Sequence, residues 1–106
     1  MISRKIGKTD LNVSTLGFGC ASLSGGYRPR DEERAAKILS VALNSGISFF
    51  DSSDAYGNGH NEEFLGINLG KDKHLVTIGT KFGNIRGPNG ERGGTNGKPN
   101  YVQRAC

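Results

Sequence analysis

Asp51, Tyr56 and Lys81 are the residues of this chain whose types and placement suit acid–base chemistry. Asp51 closes the apolar run that starts at Ile47, Tyr56 follows in a polar loop, and Lys81 stands just past the run Leu75-Val76-Thr77-Ile78-Gly79-Thr80. Taken singly, each has a plain structural reading: an Asp before a turn caps, a Tyr packs, and a Lys is solvated. Taken together, they make one proton available. A free phenol has a pKa of about 10 and donates poorly near neutrality. An ammonium beside the phenolic oxygen stabilises the phenolate, and a carboxylate beside the ammonium holds it in place and keeps it charged. Such a phenol can deliver a proton to a carbonyl oxygen as negative charge develops there. The hydride that must accompany the proton comes from no side chain, so the chemistry calls for a nicotinamide cofactor.

These residues can meet only if the surrounding elements bring them to one edge. Ile6 and Leu11 flank the polar stretch Gly7-Lys8-Thr9-Asp10, which predicts a hairpin within Arg4 to Ser14. Leu16-Gly17-Phe18-Gly19-Cys20 predicts a short strand, and Ser22 to Arg30 a loop. Asp31 is placed to cap a helix with Glu32 and Glu33 in its first turn; Ala35, Ile38, Leu39, Ala42 and Leu43 recur at helical spacing, and Gly46 stops it. The run Ile47 to Asp51 predicts a second strand. Asn61 is expected to cap a second helix containing Phe64, Leu65, Ile67 and Leu69 and ending at Gly70. Leu75 to Thr80 is the clearest strand. Residues 84–100 predict one long loop rich in Gly, Asn and Pro, and Tyr101 to Cys106 the start of another helix. Strands alternating with helices imply an α/β fold with parallel pairing, and ligands of such sheets gather beyond the C-terminal strand ends.

The composition of the 106 residues fits one thin-cored domain at most, since Gly numbers 17 and contributes no side chain to bury. The net charge of +4 arises wholly in residues 81–106, where Lys81, Arg86, Arg92, Lys98 and Arg104 face Glu91 alone. Cys20 and Cys106 stand too far apart for a metal-ligand motif or a disulfide framework, so no metal is expected. No apolar run approaches the roughly 20 residues of a membrane span, and Met1 to Lys5 lacks a secretory pattern. The expectation is a cytoplasmic chain with no membrane partner.

Four ordered motifs then carry a resemblance. Asp51-Ser52-Ser53-Asp54-Ala55-Tyr56-Gly57 resembles the aldo-keto reductase signature around the catalytic Asp and Tyr. Gly7 to Gly19 is similar to the opening hairpin and first barrel strand of bacterial and plant members, and Asn61-Glu62-Glu63-Phe64-Leu65-Gly66 and Thr80-Lys81-Phe82-Gly83 match further family positions. The Ser52-Ser53 pair stands where Thr-Ala is commoner. The resemblance implies a (β/α)8 barrel, of which residues 1–106 would form a single partial domain: the hairpin, the first three strands and two helices. It implies NADP(H)-linked reduction of an aldehyde or ketone to an alcohol. By the same resemblance, Asp51 orients Lys81, Lys81 eases proton loss from Tyr56, and Tyr56 is the proton donor. Gly19, Cys20 and Ala21 would approach the nicotinamide end of the cofactor, with Asp51 near its ribose.

The family's catalytic His follows the fourth strand, and neither His60 nor His74 occupies that position; both are expected at the surface. Later loops that hold most of the cofactor are also absent, so the chain alone is expected to show little turnover. An alternative from another class is nucleic-acid binding by the basic stretch Arg86 to Gly94. Against it stand a single Arg-Gly-Gly, no interleaved aromatic and the acidic Glu91, so no nucleic-acid partner is expected. A second alternative is an interaction module that pairs its open sheet edge with another chain. Gly17-Phe18-Gly19 is no dinucleotide fingerprint, because Ser22 occupies the position of the last glycine.

Overall fold

The computed structural model describes residues 1–106. The chain opens with an antiparallel hairpin of β1 (Ser3–Lys5) and β2 (Asn12–Ser14), in the register Ser3 with Ser14 and Lys5 with Asn12. Its turn is held by Ile6 N–H donating to Leu11 O at 2.9 Å and by the Thr9 hydroxyl donating to Ile6 O at 2.6 Å. Three short strands follow in parallel: β3 (Phe18–Gly19), β4 (Phe49–Asp51) and β5 (Thr77–Gly79), in the order β3-β4-β5. The register sets Gly19 beside Asp51 and Asp51 beside Gly79. The strands do not close into a barrel.

Helix α1 (Glu32–Asn44) crosses from β3 to β4, and α2 (His60–Leu69) from β4 to β5. Asp31 caps α1 as expected, accepting from Arg34 N–H at 3.0 Å. The cap expected at Asn61 is displaced: α2 begins at His60, its N-cap is Gly59, and Asn61 is fully buried inside the first turn. Gly59 takes the N-cap position with a φ of 93°, in the left-handed region that favours glycine, while the Asn61 side chain is engaged by Ser52, Cys20 and Ser24 instead of capping. Gly70 ends α2 but opens a 3-10 segment, Gly70–Leu75, so the last strand is shorter than expected. A second 3-10 turn, Ala21–Ser24, occupies the start of the expected loop.

Residues 84–100 are not one loop. They contain a second antiparallel hairpin, β6 (Asn84–Arg86) and β7 (Arg92–Thr95), and the first residues of α3 (Pro99–Ala105). The hairpin is built by its turn rather than by burial: Gly87 N–H donates to Glu91 O at 2.8 Å and Gly90 N–H to Gly87 O at 2.9 Å. Its β7 residues are all exposed, so no apolar alternation marked them as strand.

The core lies where α1 and α2 cover one face of the parallel sheet. Phe50 from β4, Leu39 from α1, Leu65 and Leu69 from α2 and Leu23 from the 3-10 turn are all essentially inaccessible. Each such side chain contributes on the order of 1.5–3 kcal/mol of transfer free energy. Side chains alternate across a strand, so burying Phe50 under the helices sends Phe49 and Asp51 to the opposite face. That alternation places the carboxylate at the open C-terminal edge. No helix is long and apolar enough to cross a membrane.

Candidate active site

Lys81 Nζ stands 2.8 Å from Asp51 Oδ2, 2.7 Å from Ser52 O and 3.2 Å from Tyr56 Oη. An ammonium has three protons and no acceptor, so these three oxygens use its full donor capacity. The structure thus brings Asp51, Tyr56 and Lys81 together from two successive crossover units. The backbone holds them there: Ser52 N–H donates to Gly79 O at 2.7 Å, and Asp54 N–H to Lys81 O at 3.1 Å. The tight turn after β4 keeps Tyr56 close, through Tyr56 N–H to Ser53 O at 3.1 Å.

The Lys81 and Asp51 side chains are 45% and 44% exposed, so the pair is open on one side to an incoming molecule. Loss of hydration alone would lower the pKa of Lys81. Its hydrogen bonds to Asp51 and Tyr56, with the Asp51 charge, more than offset this and raise it above the ordinary lysine value. The amine therefore stays cationic at neutral pH.

Gly19, Cys20 and Ala21 lie at the C-terminal end of β3, beside this group. Cys20 N–H donates to Asp51 O at 2.9 Å, which ties the segment to the carboxylate's strand. The Cys20 thiol faces the core and is fully buried. Burial, with the nearby Asp51 charge, pushes its pKa up to about 11, so it remains a neutral thiol. Gly19 has open space where a side chain would project, and Ala21 is half-buried at the rim of the adjoining cleft.

Asn61 is a residue whose role in the site was not anticipated. Its Nδ2 donates to Cys20 O at 2.8 Å and to Ser24 Oγ at 2.7 Å, while its Oδ1 accepts from the Ser52 hydroxyl at 2.7 Å. One buried amide thereby joins the end of β3, the 3-10 turn and the residue after Asp51. The signal available was a helix-start Asn facing a Ser pair nine residues earlier, which reads more readily as a cap. His60 corrects another expectation. It is not at the surface, for its side chain is 16% exposed and bridges Ser24 Oγ (2.8 Å) and Glu32 Oε1 (2.5 Å). Burial follows from its position at the start of α2, against α1 and the 3-10 turn. His74 is exposed, as expected, with Nδ1 2.7 Å from Lys71 O.

A parallel sheet bearing an acid, a phenol and an amine at its C-terminal edge is the setting in which the known relatives become informative. The profile of the Aldo/keto reductase family matches residues 15–105. The aldo-keto reductase yakc [NADP(+)] of Schizosaccharomyces pombe is 38% identical over 106 residues, covering 97% of this chain and 30% of that protein. A probable aldo-keto reductase 1 of Glycine max is 36% identical over 104 residues, covering 96% of this chain and 30% of that protein. Among solved structures, aldo-keto reductase AKR11C1 from Bacillus halodurans (holo form) superposes with a TM-score of 0.82 at 37% identity, covering 99% of this chain and 34% of that one. The chain belongs to the aldo/keto reductase family. It spans about a third of the length of these relatives.

Proposed function

We propose that this chain is the N-terminal, proton-donating part of an NADP(H)-linked aldo-keto reductase, in which β3, β4 and β5 are the first three strands of a (β/α)8 barrel. The reaction is reduction of an aldehyde or ketone to an alcohol. The observation that carries the reading is the position of Lys81 Nζ within hydrogen-bonding distance of both Asp51 and Tyr56.

The residues present fit a nicotinamide ring. Open space above Gly19, the small Ala21 and a half-exposed Asp51 leave a flat ring free to approach the C-terminal end of β3. Cys20 serves this segment through its backbone, since its thiol is turned into the core. When bound, the dinucleotide supplies the hydride. Tyr56 donates its hydroxyl proton to the substrate's carbonyl oxygen, Lys81 stabilises the phenolate left behind, and Asp51 with Ser52 O fixes the ammonium. Water reaching the open side restores the phenol's proton.

The experiment is NADPH oxidation with a reactive aldehyde. The 106-residue chain by itself is expected to turn over negligibly, because the later strands and loops that position the cofactor in the family are not part of it. A hybrid in which residues 1–106 replace the matching third of the Bacillus halodurans reductase is expected to oxidise NADPH. Rapid turnover by the isolated chain, or a correctly folded hybrid without turnover, would overturn the reading.

A further inference from the structure

Beside Tyr56 lies an open cleft of about 800 Å³, walled by the 3-10 turn and the Ser22–Arg30 segment on one side and by the turn of the β6–β7 hairpin on the other. Two cations face it, Arg30 and Arg86, and no acidic residue lines it. Neither guanidinium has a carboxylate oxygen within 4 Å or a hydrogen-bond partner in the chain; every ion pair of the protein lies elsewhere. Asp54 shares a smaller neighbouring depression with Arg86 but does not pair with it.

Arg30 is set against the residue that follows Tyr56, on the wall of the same cleft. A side chain at Gly57, the residue after Tyr56, would meet an Arg30 guanidinium nitrogen at 3.1 Å. Gly57 also has a φ of 61° and is hemmed in by Ser24 and His60 at 3.0 Å, so the position admits only glycine and leaves the guanidinium its place. Arg86 is brought to the same cleft by Asn58, whose Nδ2 donates to Gly87 O at 3.2 Å and pins the hairpin to the Tyr56 loop. The charge of Lys81 is already met by Asp51, so the surplus at this end of the cleft is that of the two arginines.

Two unpaired guanidiniums in one concavity repel each other and attract anions. Their planar forks suit a carboxylate or phosphate. We infer that the carbonyl compound taken by this site carries a negative charge, seated between Arg30 and Arg86 while its carbonyl oxygen meets Tyr56. The inference rests on the proposed reading of Tyr56 as the proton donor.

The test is a nuclear magnetic resonance titration of the 106-residue chain, following the Tyr56 ring and the Arg30 and Arg86 side-chain Nε–H signals. The probes are 4-acetylbenzoate, its neutral methyl ester and benzoate. The acid ketone is expected to shift all three residues and to bind about tenfold more tightly than the ester. That preference should fade at high salt. In the Arg30→Gln, Arg86→Gln double variant its affinity should fall to the ester's level, whereas Arg4→Gln, on the distant exposed hairpin, should keep the preference. Equal binding of acid and ester, with Tyr56 shifted by both, would overturn the anion inference and leave the reading of Tyr56 standing. A preference that survives the double variant would overturn it too. If no ketone shifts Tyr56, whatever benzoate does, the reading of Tyr56 and the inference fall together.

Discussion

Ser52 donates its hydroxyl proton to Asn61 Oδ1 at 2.7 Å, and the carbonyl of the same Ser52 accepts from Lys81 Nζ at 2.7 Å. A buried amide on α2 is thereby one residue removed from the amine at the C-terminal edge of the sheet. Asn61 also holds Cys20 O and Ser24 Oγ, which keep Leu23 N–H and the His60 ring as partners, so its loss strands the buried Ser52 hydroxyl and loosens the other two. Asn61→Ala is expected to cost about 1–3 kcal/mol, the cost of leaving one buried hydroxyl unsatisfied. Urea unfolding monitored by circular dichroism checks this. A loss below about 0.5 kcal/mol would mean that the amide is not shared as described.

The core makes a second claim on stability. Leu65 is inaccessible and packs in the cluster with Phe50 and Leu39. Leu65→Ala should lower stability by about 2–5 kcal/mol through lost transfer free energy and the cavity left behind. With so few buried residues, that loss is enough to unfold much of the population, visible as a collapsed spread of methyl resonances.

The two thiols should differ in both rate and pH response. Cys106 is exposed and should react with a disulfide reagent directly, while the buried Cys20 should react only as the fold opens. The folded state raises the Cys20 pKa from 9.0 to about 11. Between these values the native chain keeps a proton that the unfolded chain has lost, so stability falls as pH rises through that window. Urea midpoints measured from pH 8 to pH 11 should decline, and Cys20→Ala should flatten the decline. A decline unchanged in that variant would place its origin elsewhere.

Lys81 responds in the same direction for a different reason. Its hydrogen bonds and the Asp51 charge hold its pKa above the ordinary lysine value, so this contribution is present below that value and is lost as pH rises through the folded pKa. The 13C titration of Lys81 Cε should therefore lie above the ordinary lysine value, and Asp51→Asn should bring it down. A Lys81 that titrates at the ordinary lysine value would remove the ion pair from the account.

Much of this arrangement was legible in the residues. The helical spacing from Ala35 to Leu43, the capping Asp31 and the apolar runs through Phe50 and Ile78 fixed the alternation of strand and helix, and from it the edge where Asp51 and Lys81 emerge. The β6–β7 hairpin was illegible because neither strand holds a fully buried residue; turn geometry at Gly87 and Gly90 makes it, and such geometry leaves no periodic signal. Asn61 and His60 depart from expectation for one shared reason. A polar side chain at a helix start is ordinarily a cap or solvated, and only the packing of α2 against the 3-10 turn makes Asn61 a buried connector and His60 a half-buried one.

The central claim is that the Tyr56 hydroxyl delivers the proton. It is tested most directly by the steady-state rate of NADPH oxidation with a reactive aldehyde in the hybrid enzyme carrying residues 1–106, comparing Tyr56 with Tyr56→Phe. The substitution removes one oxygen and leaves the ring packed beneath Lys81, whose Nζ is 4.9 Å from the ring centroid. The account predicts a loss in kcat of about 10²–10⁴-fold. A Tyr56→Phe hybrid that turns over at the parent rate would contradict it.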